Sequence, residues 1–436
     1  MVDHTATARI QRLVRWLEQF KVCFGHRAQL MALRSYVQGV FSDSERKSMQ
    51  AMLARVTEPV AYQAFQHFIT HAPWDAERVW RRLRAVMPER RGVLILDGTS
   101  FPKQGPHSVG AARQYCGALG KVALCQVAVT AALWTGVRAW CLGARLYLPD
   151  AWLTPAARQR ARIPTTVRFQ EKWRLGLQLV RQARAAGVAI TAVLADAEFG
   201  DVTAFRRALH RWRLPYAVGI SSDLMVFATR PRLVKRAGRR PSRGPARWQM
   251  ADAVAPVSVR DLIAPLPRTA WRHVSWRNGT QPKRSARFTA IRATPARDWP
   301  HGLAPEIWVL AEEEASRARR LKYYFVNLPA DRSLRALVRL THQRWAIEPQ
   351  YQELKSELGL DHFEGRTYPG WQHHVVLTAV AHAYIQRERM RRGAAGLTFP
   401  AVRAVVQEIF TALLFAAKPR YMHWMEQAKR ELQLRI

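Results

Sequence analysis

The chain changes its hydrophobic rhythm near residue 88. Before that point apolar side chains recur every three or four positions. "ARIQRLVRWLEQF" places Ile10, Leu13, Leu17 and Phe20 on one helical face, and "WDAERVWRRLRAVM" does the same with Trp74, Val79, Leu83 and Val86. Arginines take the other faces, which fits either a solvated helix pair or a DNA-docking module. From Gly92 onward the pattern becomes short apolar runs divided by turns. "VLILD", "CQVAVTAALW" and, across Thr135-Gly136, "VRAWCLGARLYLP" predict a three-stranded meander. "TVRFQEKWRLGLQLVRQARAAG" predicts a long amphipathic helix closed by Gly187. The strand "ITAVLAD", the helix "VTAFRRALHRWRL" and the strand "YAVGI" complete the order β-β-β-α-β-α-β.

Connection rules leave few ways to assemble that order. A right-handed crossover lays the strand ending at Asp196 parallel to the strand ending at Asp97, on the side away from the hairpin. Neighbouring strands lie about 4.8 Å apart. Parallel strands finish at the same edge, so the two carboxylates are expected side by side. Such a pair repels unless a proton or a cation relieves it. Either Asp alone also reads as an ordinary turn residue.

Residues 222 to about 320 break the alternation. The stretch from Arg230 to Trp248 carries eight Arg or Lys and no acid, and reads as a loop or linker. "WRHVSWRNGTQPKRSARFTAIRAT" predicts a hairpin about Asn278-Gly279, and "EIWVLAEEE" a further strand, before "LKYYFVNLP" resumes a core pattern. The expected organisation is therefore a helical region at 1–88, an α/β core at 89–221, a β-rich insertion at 222–320, a second core segment at 321–385 and a helical tail at 386–436.

A third carboxylate stands out in "DRSLRALVRLTHQRWAIEPQYQELKSELGLDHFEGR". Either Asp331 or Ser333 starts a helix there. At about 100° per residue, Arg344, Glu348 and Lys355 fall within about 40° of one another. One face then presents a carboxylate between two cations, a pattern shared with ordinary ion pairing on a solvated helix.

Charge narrows the functional classes. Among 436 residues, 69 Lys plus Arg stand against 32 Asp plus Glu, a formal net charge of +37. A polyanion is the expected partner, and nucleic acid the leading one. Arg supplies 58 of the 69 basic residues, a ratio that GC-rich coding also favours. The four cysteines, Cys23, Cys116, Cys125 and Cys141, form no C-x-x-C pair, which argues for a reducing compartment and no structural zinc. No window holds about 18 uncharged apolar residues, and the first twenty residues lack a signal core, so a soluble cytoplasmic protein is expected.

Four blocks carry a resemblance to a known family. "LDGTSFPKQGPHSVGAARQYCGALGKVALCQVAV", "RLYLPDAWL", "VLADAEFGD" and "RWAIEPQYQELKSELGLDHFEGRTYPGWQHH" resemble, in that order, blocks of bacterial insertion-sequence transposases of the DDE type. The last resembles their YREK signature. The resemblance runs from about residue 25 to 385. It implies an RNase H-like mixed sheet interrupted by a β-rich insertion, with an N-terminal domain that recognises terminal repeats. It implies Asp97, Asp196 and Glu348 as catalytic carboxylates holding Mg²⁺, with Mn²⁺ as a substitute, in DNA cleavage and strand transfer. Arg344 and Lys355 are implied as contacts to DNA phosphates, and Lys103, Arg113 and Lys121 are assigned the same contact from their place around the first Asp. Double-stranded DNA, both element ends and target, is the implied partner, with a homodimer in the DNA complex and no membrane.

Other residues compete for roles. Glu198 is an alternative ligand, Asp201 is the expected N-cap of the next helix, and Asp361 and Glu364 either cap or form salt bridges. His373-His374 is not a metal-ligand spacing. Trp248, Trp271 and Trp276 either stack on an extruded base or fill the core of the insertion. The chain departs from the family pattern at Thr341, where the signature has Tyr, at Leu124, and at Pro349 directly after the third acid. Those departures keep open a catalytically inactive, transposase-derived DNA-binding protein.

Overall fold

The computed structural model describes residues 4–236, 247–251, 253–276, 285–296, 303–314, 320–394, 396–417 and 427. Five helices come first: α1 (His4–Glu18), α2 (Arg27–Val40), α3 (Met49–Ala54), α4 (Tyr62–Thr70) and α5 (Ala76–Val86). Asp75 caps α5, its side chain accepting from the Glu77 amide.

The sheet begins with β1 (Arg91–Pro102), β2 (Ala112–Cys116), β3 (Lys121–Trp134) and β4 (Ala139–Tyr147). The expected meander β1-β3-β4 is antiparallel throughout. The sequence reading missed β2, which pairs with β3 as a hairpin at the sheet's end. Gln114 and Gln126 brace it, donating to the carbonyls of Cys125 (2.9 Å) and Val109 (2.6 Å).

After the short α6 (Pro155–Ala161), α7 (Lys172–Ala185) crosses over to β5 (Ala189–Ala195). β5 lies parallel to β1 on the side away from β3, as the connection rule requires. Helices α8 (Ala197–Gly200) and α9 (Thr203–Arg211) lead to β6 (Tyr216–Ile220), parallel to β5. Gly200 lets α8 seat directly on β6, since a Cβ there would overlap the carbonyl of Gly219.

The region read as a separate insertion mostly extends the same sheet. It contributes β7 (Met225–Phe227), a ribbon of β8 (Leu233–Arg236) and β9 (Arg247–Met250), β10 (Val257–Ser258), α10 (Val259–Ile263), β11 (Arg272–Ser275), β12 (Ser285–Pro295) and β13 (Ile307–Glu313). The β8/β9 ribbon corrects the loop or linker expected from Arg230 to Trp248: strand pairing continues to Leu233↔Met250. β11 and β12 pair as a hairpin would, and the Asn278-Gly279 turn lies outside the described residues. β14 (Leu321–Val326) then joins β13 to β6. The result is a mixed sheet of 12 strands, ordered β10-β7-β12-β13-β14-β6-β5-β1-β3-β2, with β11 and β4 paired off that path to β12 and β3.

The chain closes with α11 (Leu334–His342), α12 (Ile347–Gln352), α13 (Tyr368–Glu388) and α14 (Phe399–Ala417). α13 is buried on nearly every side, because α2, α4 and α5 pack on it from one side and β4 from another. Its polar side chains are satisfied there. Tyr36 Oη meets His374 Nδ1 at 2.7 Å, and the His373 ring lies 2.7 Å from the Ile69 carbonyl and 2.9 Å from that of Trp74. One continuous apolar core reaches from Leu13 to Phe410. No described helix is long and apolar enough to cross a membrane.

Candidate active site

Strand alternation decides which way Asp97 faces. Leu94 and Leu96 join the large core, whereas Val93 and Ile95 join a second cluster containing Leu337, Ala346 and Ile347. Asp97 shares the second face and therefore looks toward the segment that carries Arg344. Asp196 follows the last residue of β5 and caps α8, accepting from the Glu198 amide at 3.1 Å.

Arg344 joins the two. Its Nη2 lies 2.8 Å from Asp97 Oδ1 and 3.4 Å from Asp196 Oδ2, so both carboxylates converge on one cationic nitrogen. Burial pushes the Asp97 carboxyl up to about 7; Arg344 opposes that rise and Asp196 adds to it. The neighbouring Tyr351 hydroxyl favours the charged form of Asp97. The Tyr351 hydroxyl also sits 2.6 Å from Thr130 Oγ1, and Thr130 is the ladder partner of Asp97 on β3. Burial holds the Tyr351 hydroxyl far above its ordinary range, so it stays neutral.

The segment carrying the third acid is not one regular helix. A 3₁₀ turn (Gln343–Ala346) precedes α12, and a π turn (Glu353–Glu357) follows it. The even 100° spacing expected for Arg344, Glu348 and Lys355 therefore does not hold. Glu353 reaches toward α13, with His382 Nε2 at 2.9 Å and Arg389 at 3.5 Å, while Lys355 reaches β1 and donates to the Ser100 carbonyl at 3.0 Å. The wider π turn serves both directions. Glu348 is exposed and, among the described residues, its carboxylate has no hydrogen-bond or ion-pair partner. Pro349 occupies the first turn of α12, where amide hydrogens have no acceptor within that helix. It causes no break.

A cleft of about 850 Å³ runs past Asp196, Arg344 and Glu348. Trp276, His342 and Trp345 form part of its wall, and Trp276 stacks on His342 with ring centroids 3.9 Å apart. Trp271 instead packs, half-buried, against the main core, and the Trp248 side chain lies outside the described residues.

The remaining sequence assignments separate. Lys103 has no exposed side-chain surface and donates to the carbonyls of Phe363 (2.6 Å) and Asp361 (3.2 Å), so it ties the 361–364 loop to β1 rather than facing solvent. Arg113 and Lys121 are exposed on the β2/β3 hairpin. Asp201 is not an N-cap: Val202 takes that place, and Asp201 accepts from the Ser221 amide at 2.8 Å and from its hydroxyl. Glu198 pairs with Lys172, and Glu364 with Arg46 and Lys103. Ser333, not Asp331, caps α11. Thr341 is buried, donating to the Leu337 carbonyl at 2.9 Å.

The donor set can be weighed against a divalent cation. Asp97 and Asp196 fit, since hard oxygens from two elements already face one positive atom. Among the described residues, however, no group of three or more His, Cys, Asp or Glu side chains is placed to hold a metal. Glu348 thus stands in the same cleft without joining the pair.

Comparison with known proteins decides the family. The model of the DDE superfamily endonucleases matches residues 19–283, well over half of the chain. The chain belongs to that family. The matched span holds Asp97 and Asp196 and ends before Glu348. One relative of this DDE superfamily chain is the probable transposase for insertion sequence element IS701 of Microchaete diplosiphon, 28% identical over 190 residues. The alignment covers 42% of the chain and 47% of that relative. The chain thus spans about half the length of the curated relative it matches. Tyr351 and Thr130 were missed by sequence reasoning; only the nearness of Tyr351 to Glu348 in the signature segment hinted at either.

Proposed function

We propose that the protein is an insertion-sequence transposase, cutting double-stranded DNA at element ends and joining them to a target. The observation that carries this reading is the convergence of Asp97 and Asp196, from adjacent parallel strands, on one atom of the signature Arg344. In this reading the strand order β-β-β-α-β-α-β is an RNase H-like core, extended rather than interrupted by the strands after β6. Asp97 and Asp196, with Glu348 brought in from the cleft, would hold Mg²⁺, which would supply polarisation of the scissile phosphate and activation of the attacking oxygen.

The chain's own residues prepare that site. Arg344 offsets one of the two aspartate charges in the resting protein and turns to DNA phosphate when they are otherwise compensated. Thr130 donates to the Asp97 backbone carbonyl at 3.5 Å and meets the Tyr351 hydroxyl, which holds Tyr351 beside the carboxylate, and Lys355 steadies the end of β1. Joining two ends requires at least two copies, so a homodimer forms on DNA.

A second reading, DNA binding without cleavage, draws on one observation: Arg344 fills the space between the aspartates while Glu348 stands apart. One experiment separates the two. A labelled duplex spanning the element boundary is incubated with Mg²⁺ and wild type, Asp97→Asn or Glu348→Gln, with binding measured alongside. Cutting by wild type alone, with all three binding, supports the transposase. Tight binding by wild type with no cutting in Mg²⁺ or Mn²⁺ leaves the second reading.

A further inference from the structure

The parallel part of the sheet has two ends, and they differ sharply in charge. Between Lys172 and Tyr216 the acids are Asp196, Glu198 and Asp201, and all three lie just beyond the carboxyl end of β5. The opposite end collects cations. α7 runs back against β5, so Arg181 and Arg184 stand about 13 to 18 Å along the helix from Lys172, which marks the acidic end by pairing with Glu198. Arg211 ends α9, and Arg213 follows just before β6. Arg91 starts β1 at the same end, opposite Ala189. Six residues of extended strand, about 20 Å, separate it from Asp97.

The arginines form a built surface rather than a scatter. Trp212 lies between the two helices and carries Arg181 at 5.5 Å and Arg184 at 5.8 Å from its ring. Arg213 is held in a left-handed conformation (φ 54°), which costs a non-glycine residue about 1–2 kcal/mol. The Leu214 amide closes that turn onto the Leu209 carbonyl at 3.0 Å. A cleft of about 510 Å³ beside it is lined by His210, Arg211, Arg213, Leu214, Pro215 and Asn327, with no acid. Arg181, Arg184, Arg211 and Arg213 are exposed, and among the described residues none is paired with a carboxylate. Glu89, just before β1, also lies at this end but is taken up by Arg138 at 3.0 Å, and coding bias, which raises the number of arginines, does not leave those on α7 and α9 without a carboxylate partner.

We propose that this end of the sheet is a second, sequence-independent binding site for the phosphate backbone of duplex DNA, remote from the carboxylates. Guanidinium groups suit phosphate oxygens, and cations anchored on rigid helix ends hold a duplex without reading its bases. The site does not require that the protein cleave anything, so it stands or falls apart from the transposase reading. At about 20 Å from Asp97, it accommodates DNA other than the strand in the cleft.

The test is binding of a labelled 30-bp duplex of arbitrary sequence, lacking any element end, in EDTA across a salt series. Every phosphate that the protein no longer neutralises makes the slope of log K against log[salt] shallower by about 0.9. Arg181→Gln/Arg184→Gln/Arg211→Gln is expected to flatten the slope by about 2 to 3. The corresponding triple Lys variant should keep most of the slope, because a point charge still meets phosphate, and it guards against misfolding of the first. Arg160→Gln/Arg162→Gln/Arg168→Gln removes equal charge from exposed positions elsewhere and should leave the slope nearly unchanged. An equal flattening in that control, or no flattening in the first triple, would each overturn the site.

Discussion

The two ends of the parallel strands use charge in opposite ways. At one end Asp97 and Asp196 face Arg344 at 2.8 and 3.4 Å, half shielded from water, and one positive charge offsets one of their two. At the other, Arg181, Arg184, Arg211 and Arg213 face solvent with no carboxylate partner among the described residues. The first arrangement is self-contained, with a cation from the chain set between the acids. The second has no internal answer to its charge and invites an anion from outside. Total charge, +37, describes neither end; what differs is where the compensating group comes from.

The largest expected effect breaks the self-contained end. Asp97→Asn or Glu348→Gln should reduce Mg²⁺-dependent cleavage of an element-boundary duplex to background while leaving duplex affinity within about twofold, measured by gel cleavage and anisotropy. A matching loss of affinity in Asp97→Asn would mean that the acid serves the fold rather than the reaction.

Removing the internal cation comes next. Arg344→Gln should lower stability by about 1–3 kcal/mol at pH 8, because a buried carboxylate loses its partner. The loss should shrink at pH 5, where Asp97 carries a proton. Denaturant unfolding at the two pH values measures it, and an equal loss at both would show that Arg344 acts through packing alone.

The pH dependence of wild type sharpens the same point. Asp97 titrates at about 7 in the folded chain against an ordinary 3.8. Between those values the native state binds the extra proton, so stability falls as pH rises from about 4 to about 7, at up to about 1.4 kcal/mol per pH unit. Asp97→Asn should lack this contribution and gain on wild type above pH 7. Identical pH profiles for the two proteins would place the Asp97 titration outside this window.

The smallest effect concerns Pro349. Pro349→Ala should change stability by under about 0.5 kcal/mol and leave cleavage unaltered, because the first turn of α12 has no use for an amide hydrogen at that position. A several-fold gain in cleavage would show that the proline does constrain the acid beside it.

Much of the site could be read before the fold was known. Apolar runs ending in Asp97 and Asp196, joined by a helix of the right length, demanded parallel neighbours with both acids at one edge, and β1 and β5 have that pairing. β2 escaped notice because Arg113 and Tyr115 alternate with residues too few to form an apolar signal, and its buried face is made by Cys116 packing with Cys125. Lys103 looked like a solvent-facing cation because its burial depends on a loop some 260 positions later, at Phe363. The insertion looked independent because the pairing of β14 with β6, which ties it to the core, joins residues about 100 positions apart.

Sequence by itself determined the strands of the meander, the crossover and the placing of Asp97 and Asp196 at one edge, since these follow from local periodicity and from chain connections with few alternatives. Tertiary structure alone decided that Arg344 bridges Asp97 and Asp196, that Glu348 stands free, and that Tyr351 reaches Asp97. Those outcomes turn on a 3₁₀ turn before α12 and a π turn after it, fixed by partners on α13 and β1. A helix read by its ideal period cannot register such partners, because the energy that bends it comes from residues far away in the chain.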